Sequence, residues 1–187
     1  MSSPTLNLIQ LIKTQFTSSE EIVFYGGSFN PWHKGHSQCL RSITEAGHEK
    51  VIVILDHNPQ KKVQTSVTEN YIEHQLKGHF PKAFYFADFY HAQVPNPTSQ
   101  WISELKKELL NPLSLLMGFD SLAGVTEWIE AEVLLKNLSA IYYLSREENK
   151  LQKSSALGKI RKINPQLNIT HLGHHKFEHL SSKNLRA

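Results

Sequence analysis

The sequence contains a single cysteine, and this scarcity limits the kinds of protein it can be. Cys39 has no partner for an internal disulfide, so we expect a protein of a reducing compartment, the cytoplasm. No apolar run is long enough to cross a bilayer, and the N-terminal segment lacks the basic and apolar regions of a signal peptide. Internal repeats, low-complexity tracts and Pro/Gly-rich linkers are also missing, so we predict a single domain over residues 1–187.

Net charge of either sign is small. The 20 basic and 17 acidic residues give +3 with histidines neutral, and the lysines and arginines are scattered rather than gathered into a stripe. We therefore predict neither nucleic acid nor a membrane as a partner, whereas a small phosphate-bearing molecule is compatible with this charge. A hydrophobic fraction of 40% and a charged fraction of 20% are those of an ordinary globular protein.

Short apolar runs alternate with amphipathic segments along the chain. This alternation predicts an α/β fold of the Rossmann-like type, with a mostly parallel sheet, helices on both faces and ligands beyond the carboxyl ends of the strands. The predicted strands are 21–27, 50–56, 83–90, 113–118, 139–145 and 167–173. The predicted helices are 4–16, 35–47, 68–78, 98–110, 126–137 and 147–163.

The segment "FYGGSFNPWHKGH" (24–36) joins the first predicted buried strand to the next helix. Gly26 and Gly27 at the strand end permit positive φ and a close approach of the backbone to a ligand. The helix start offers free N–H groups and the positive end of its dipole to an anion. His33 and His36 are three residues apart and share a face of the first turn, from which imidazoles can donate hydrogen bonds to phosphate oxygens. The segment is compatible with a phosphate site, although similar turns without a ligand are common in α/β proteins.

Other glycine-rich and histidine-containing sites fit this segment less well. It has no glycine three residues beyond a G-x-G, as a dinucleotide fingerprint requires, and no Gly-Lys-Ser/Thr of a Walker A loop. A zinc site needs more ligands than His33 and His36, and no cysteine or carboxylate stands at a suitable spacing. We therefore predict no metal ligands among these residues.

The segment "GGSFNPWHKGH" resembles the signature of the HxGH nucleotidyltransferases, and its "GGSFNP" is most similar to the nicotinate (or nicotinamide) mononucleotide adenylyltransferases. Two further segments resemble that family in order and spacing: "MGFDSLAGVTEW" (117–128) and "HLSSKNLR" (179–186). The segment "YLSRE" (143–147) falls where the family has a strand ending in arginine. The resemblance extends from about residue 22 to the end of the chain.

The resemblance implies an enzyme of NAD biosynthesis that transfers AMP from ATP to a mononucleotide and releases pyrophosphate, with Mg²⁺ held mainly by phosphates. It implies catalytic roles for His33, His36 and Arg186. It implies contacts with the ATP phosphates for Gly26, Gly27, Ser28, Phe29, Ser181 and Ser182. It implies contacts with the adenosine and its ribose for Gly118 and Asp120, and with the mononucleotide for Asn30, Trp128, Thr98, Lys62 and Arg146.

Several of these assignments have an alternative. Trp128 could stack on the pyridine ring or pack in the core, and Lys62 could lie on solvated surface. The segment with Ser181, Ser182 and Arg186 could be a frayed tail. Its family threonine is replaced by Lys183, and only Thr98 remains of a Ser-Tyr-Thr stretch near the pyridine carboxylate. Nicotinate and nicotinamide therefore both remain possible, as do a different phosphorylated acceptor and a non-catalytic nucleotide-binding relative.

Two other features have structural interpretations. A second histidine cluster, "THLGHHKFEH" (170–179), could suggest a metal site, but its alternation predicts strand followed by solvated loop. Cys39 is predicted to pack in the core, because free cysteines behave as small hydrophobes.

Overall fold

A parallel sheet forms the centre of the protein. The structure is a computed structural model that describes residues 3–56, 66–92, 96–147 and 149–180. In those ranges the strands are β1 (Ile22–Gly27), β2 (Val51–Leu55), β3 (Phe84–Phe86), β4 (Leu113–Gly118), β5 (Ala140–Leu144) and β6 (Asn168–His171). They lie in the order β3-β2-β1-β4-β5-β6, and every neighbouring pair is parallel. This arrangement confirms the predicted Rossmann-like α/β fold.

Helices connect successive strands and cover both faces of the sheet. In the described ranges they are α1 (Pro4–Gln15), α2 (Lys34–Glu45), α3 (Ser66–His79), α4 (Asp88–Ala92), α5 (Thr98–Glu108), α6 (Phe119–Gly124), α7 (Ala131–Asn137) and α8 (Lys150–Ile163). A 3₁₀ turn (Val125–Glu127) lies between α6 and α7. No helix in the described part of the chain is both long and apolar enough to cross a membrane.

Two apolar cores lie on opposite faces of the sheet. Alternate strand residues point to opposite sides, so Phe24 of β1 belongs to one core and Tyr25 to the other. The first core packs against α1 and α4 to α8, and the second packs against α2 and α3. All five residues of β2 are buried, as its continuous apolar run predicts.

The predicted strand 83–90 is too long. Only Phe84–Phe86 pair with β2, and the chain then turns into α4 at Asp88. Phe89, on this helix, packs its ring 5.4 Å from that of Phe86 and 5.8 Å from that of Trp101. An acidic residue in the first turn favours a helix start. An aromatic run does not reveal where the period changes from two residues to 3.6, because aromatic residues are apolar enough for the buried side of a strand or of a helix.

The predicted helix 126–137 begins too early. Residues 125–127 form the 3₁₀ turn, Trp128 has extended backbone, and α7 begins only at Ala131. Glu130, the residue before α7, has a left-handed backbone with φ 51°. This conformation interrupts a continuous helix. The short helix α6 was not predicted, and the predicted loop at 57–66 lies almost entirely outside the described residues.

Two leucines, one buried in the first core and one at the surface, provide a test of the packing. Leu105 of α5 is fully buried, whereas Leu110, just beyond the helix, is 90% exposed. We expect Leu105→Ala to lower the free energy of unfolding by about 2–5 kcal/mol, because it leaves a cavity beneath α5. Leu110→Ala, the matched control, should change it by less than about 0.5 kcal/mol. Urea denaturation measures both, and equal losses would contradict this packing.

Candidate active site

A pocket lies at the carboxyl ends of β1 and β4. These strands are neighbours at the centre of the sheet, but β1 leads to β2 on one side and β4 leads to β5 on the other. A crevice forms where the strand order reverses in this way, and it is the usual ligand site of open parallel sheets. Of the residues predicted for the site, the pocket is lined by Gly26, Gly27, Ser28, Phe29, His36, Gly118, Asp120 and Arg146.

The remaining predicted residues lie elsewhere or cannot be described. His33 is next to the pocket, with its ring stacked on that of His36 at a centroid distance of 3.7 Å. Asn30, Thr98 and Trp128 are described but do not line this pocket. Trp128 is 37% exposed and belongs to neither core, so the core-packing alternative is wrong. The assignments of Lys62, Ser181, Ser182 and Arg186 fall outside the described residues.

The turn after β1 uses its glycines in a different way from the one predicted. The structure gives neither Gly26 nor Gly27 a positive φ; the left-handed residue is Phe29, with φ 43°. A Cβ on Gly27 would lie 3.0 Å from the Phe29 ring, so the absence of a side chain lets that ring fold back over the turn. The Phe29 ring then packs 5.1 Å from that of Tyr25 and 5.1 Å from that of His36.

The side chains of His33 and His36 cap the start of α2. His33 is the N-cap residue, and its Nδ1 accepts a hydrogen bond of 3.1 Å from the Gly35 N–H. The Nδ1 of His36 accepts one of 3.2 Å from the His33 N–H. The His36 and Ser37 N–H groups donate to the His33 carbonyl. The predicted row of free N–H groups is therefore wrong for Gly35, His36 and Ser37, whose N–H groups donate to the ring or the carbonyl of His33.

These hydrogen bonds determine what the imidazoles can offer to a ligand. A neutral ring whose Nδ1 accepts a hydrogen bond carries its proton on Nε2, so His33 and His36 are both Nε2–H donors. The Nε2 of His33 is buried and has no hydrogen-bond partner in the described part of the chain. A Cβ on Gly35 would lie 2.9 Å from Cε1 of His33, so only glycine leaves this ring in place.

The electrostatics of the pocket favour a neutral His33 beside one cation. Burial first, and then the nearby positive charge of Arg146, lower the pKa of His33 from 6.5 to about 4. The Arg146 side chain is largely buried, and its Nε lies 3.5 Å from Oδ2 of the exposed Asp120. A neutral donor pair with a guanidinium suits the binding of an anion without requiring a protonated histidine.

Residues that were not assigned to the site also line the pocket. Cys39 forms part of the wall, and burial raises the pKa of its thiol to about 11, so it is a packing residue and not a nucleophile. This confirms its predicted role. His175, from the second histidine cluster, also reaches the pocket, so the solvated-loop prediction holds for the exposed His174 and His179 but is wrong for His175. Among the described residues, no group of His, Cys, Asp or Glu is arranged to hold a metal ion.

Comparison with known proteins places this pocket in a defined class. Residues 24–161, which carry the turn, both histidines and Arg146, match the family described as cytidylyltransferase-like. The chain belongs to this family, and it is a nucleotidyltransferase.

Its relatives define a particular branch of the family. A Helicobacter pylori protein named probable nicotinate-nucleotide adenylyltransferase is 31% identical over 134 residues, which cover 66% of this chain and 74% of that protein. A Leptospira interrogans protein with the same name is 28% identical over 157 residues, covering 78% and 79%. Another from Sulfurovum is 33% identical, and the match covers 62% of its length. These relatives confirm the resemblance to the mononucleotide adenylyltransferases.

Solved structures agree on the fold. Plasmodium falciparum nicotinic acid mononucleotide adenylyltransferase complexed with NaAD has a TM-score of 0.72 and 21% identity, over 89% of this chain and 82% of that one. The same enzyme complexed with APC gives a TM-score of 0.70 and 19% identity over the same shares. At this identity the match shows a common architecture.

The lowered pKa of His33 predicts a pH dependence of stability. The unfolded chain binds this proton more readily than the folded one, so the stabilisation is complete above pH 6.5 and is lost as the pH falls towards 4. His33→Asn keeps an oxygen that can cap Gly35 but does not titrate there. Between pH 7 and 4.5 the free energy of unfolding should therefore fall more steeply in the wild type than in His33→Asn. His79→Asn, at an exposed residue, controls for the loss of a histidine. If the free energy of unfolding falls equally steeply with pH in the wild type and in His33→Asn, the lowered pKa of His33 is wrong.

Proposed function

We propose that this protein transfers AMP from ATP to nicotinate mononucleotide, or to nicotinamide mononucleotide, and releases pyrophosphate in NAD biosynthesis. The observation that carries the proposal is the stacked pair His33 and His36, with both Nδ1 atoms accepting backbone hydrogen bonds beside the switch-point pocket. The names of the relatives supply the substrate class. The family's fold and the turn ending β1 are compatible with nucleotide substrates.

The chemistry needs no covalent enzyme intermediate. A phosphate oxygen of the mononucleotide forms a bond to the α-phosphorus of ATP while the bond from that phosphorus to the bridging oxygen breaks, and pyrophosphate leaves. Negative charge grows on the non-bridging and leaving oxygens, so Nε2–H donors at fixed positions stabilise the transition state. The protein's contribution is otherwise the alignment of two substrates, which removes much of the entropic barrier.

The remaining assignments follow the resemblance and extend this proposal. The Gly26–Phe29 turn lies against the ATP phosphates, and Gly118 and Asp120 contact the adenosine and its ribose. Arg146 pairs with the phosphate of the mononucleotide. The proposed additional contacts to the mononucleotide are Asn30, Thr98, Trp128 and Lys62. The proposed additional contacts to ATP phosphates are Ser181, Ser182 and Arg186.

Magnesium enters this proposal as part of the ATP substrate. The carboxylate that lines the pocket, Asp120, is 69% exposed and pairs with Arg146, and the described residues form no metal-binding group. As the resemblance implies, the ion is proposed to be held mainly by phosphate oxygens, as Mg²⁺ usually is beside nucleotides. It neutralises phosphate charge there, while Arg146 and the imidazoles act from the protein side.

The proposal covers the whole chain as one domain of a cytoplasmic enzyme with small-molecule partners. The described elements flank one sheet, which supports a single domain over residues 1–187. The net charge of +3 suits phosphate-bearing substrates without favouring nucleic acid.

Removal of one imidazole tests the mechanism. We expect His36→Ala to lower kcat for pyrophosphate release from ATP and nicotinate mononucleotide about a hundredfold, because one transition-state donor is lost. His74→Ala, at an exposed site on α3, should have the activity of the wild type.

The same assay separates the competing functions. Wild-type turnover with phosphopantetheine alone would replace the acceptor, and ATP binding without product from any acceptor would identify a non-catalytic relative. Full activity of His36→Ala would contradict the mechanism.

The exposed indole of Trp128 tests the acceptor. Trp128→Ala should raise KM for the mononucleotide roughly fivefold, equivalent to about 1 kcal/mol of lost stacking, while KM for ATP stays constant. Trp128→Phe should keep most of the affinity because it keeps an aromatic face. Ile129→Ala, at a neighbouring residue that is 65% exposed, is the control. Unchanged KM values in Trp128→Ala would remove this residue from the site.

A further inference from the structure

The chain beyond β6 packs against the start of α2. The Phe177 carbonyl oxygen lies 3.7 Å from the position that a Cβ on Gly35 would take. The ammonium of Lys34 lies 5.9 Å from the centroid of the Phe177 ring. Residues 174–180, which we call the β6 turn, therefore contact the same helix start that carries His33 and His36.

One side chain of the β6 turn faces the pocket. His175 lines it together with His36 and Arg146. Its own N–H donates a hydrogen bond of 3.1 Å to Oε1 of Glu178, and its Nδ1 accepts one of 3.2 Å from the Phe177 N–H. The backbone and ring of His175 are thus both held by the turn, and its orientation does not depend on a ligand.

His175 repeats the arrangement found at His33. In each case the ring Nδ1 accepts from the N–H two residues further along the chain, at 3.1 Å for His33 and 3.2 Å for His175. In each case the Nε2 is buried and has no hydrogen-bond partner among the residues that the structure describes. With Nδ1 accepting, each neutral ring carries its proton on Nε2.

The environment keeps His175 neutral. Burial lowers the pKa of its imidazole, and the positive charge of Arg146 acts in the same direction, whereas the carboxylate of Glu178 and the backbone of Ser145 oppose them. Among the described residues, the charged or titratable side chains that act on it or line the same pocket include His33, His36, His174, Asp120, Arg146 and Glu178. A buried N–H without an acceptor is costly, and the bond to Phe177 explains only the other nitrogen of the ring. Nε2–H is therefore positioned for an acceptor that arrives with a ligand.

We propose that His175 is a third imidazole donor of this site, which hydrogen-bonds through Nε2–H to a phosphate oxygen of the bound nucleotide. The proposal rests on the nucleotidyltransferase function above and adds a binding residue from a different part of the chain. An oxygen of ATP and an oxygen of the mononucleotide phosphate have the same chemistry, so the experiment separates these two sources.

The test uses His175→Asn, since the asparagine oxygen takes the place of Nδ1 and can accept from Phe177 while the Nε2 donor is lost. His175→Gln places an amide donor near the position of Nε2 and gives up the bond to Phe177. His179→Asn is the matched control, because His179 is exposed on the same turn. Calorimetry on the full-length protein gives Kd for ATP, for nicotinate mononucleotide and for adenosine, which has no phosphate.

We expect His175→Asn to weaken the binding of ATP or of the mononucleotide about tenfold, with adenosine binding and melting temperature unchanged, and His175→Gln to restore part of the loss. The ligand that weakens identifies the phosphate that His175 contacts. Unchanged binding of both phosphate ligands would overturn the proposal. An equal loss for adenosine, or a melting temperature that falls in His175→Asn, would show a structural role and overturn it as well.

The outcome does not depend on the acceptor assigned above. ATP binding is measured without turnover, so a wild type that binds ATP but uses neither nicotinate nor nicotinamide mononucleotide would refute the proposed function alone. In that case His175 is still judged by the ATP affinity of His175→Asn against that of His179→Asn.

Discussion

The hydrogen bonds from backbone N–H groups to imidazole Nδ1 atoms at the start of α2 connect the fold of this protein to its chemistry. In each bond the Nδ1 atom of a histidine ring accepts from a backbone N–H group at the helix start, and the ring proton is thereby fixed on Nε2. The same two side chains therefore satisfy backbone donors and present N–H groups next to the pocket. A serine or aspartate cap would satisfy the same kind of backbone donor but would present no imidazole N–H to the pocket.

The order of the strands in the sheet determines which residues lie opposite these rings. Because β1 and β4 are adjacent and their connections leave in opposite directions, the turn after β1 faces the start of α6 across a crevice. Arg146 enters from the end of β5 and is held close to Asp120, so a positive charge lies near the neutral imidazoles. The pocket thus combines a pre-positioned cation with uncharged donors, and both remain in place at neutral pH.

The sequence was sufficient for the architecture and for a group of residues that the structure brings together at one pocket, because both depend on local patterns. Strands buried on two faces are continuous apolar runs, and the glycine–histidine segment is short enough for its parts to remain together. The failures at 83–90 and at Trp128 have another cause: there the contacts of Phe89 and the left-handed Glu130 decide the backbone, and neither leaves a periodic signal. The sequence did not indicate His175 as a site residue, because loop histidines are usually solvated. The contact of the β6 turn with α2 brings it to the pocket.

The pocket is assembled from residues separated by almost the whole length of the chain. Gly26 lies near the end of the first strand, Gly118 ends the fourth, and His175 follows the last. A molecule bound there would contact residues at or after the ends of β1, β4, β5 and β6, so its binding free energy adds to the free energy of unfolding. Substrate saturation should therefore protect distant segments such as β2 and α5 from proteolysis as strongly as it protects the pocket itself, and the concentration of the nucleotide around the protein would then help to set its lifetime.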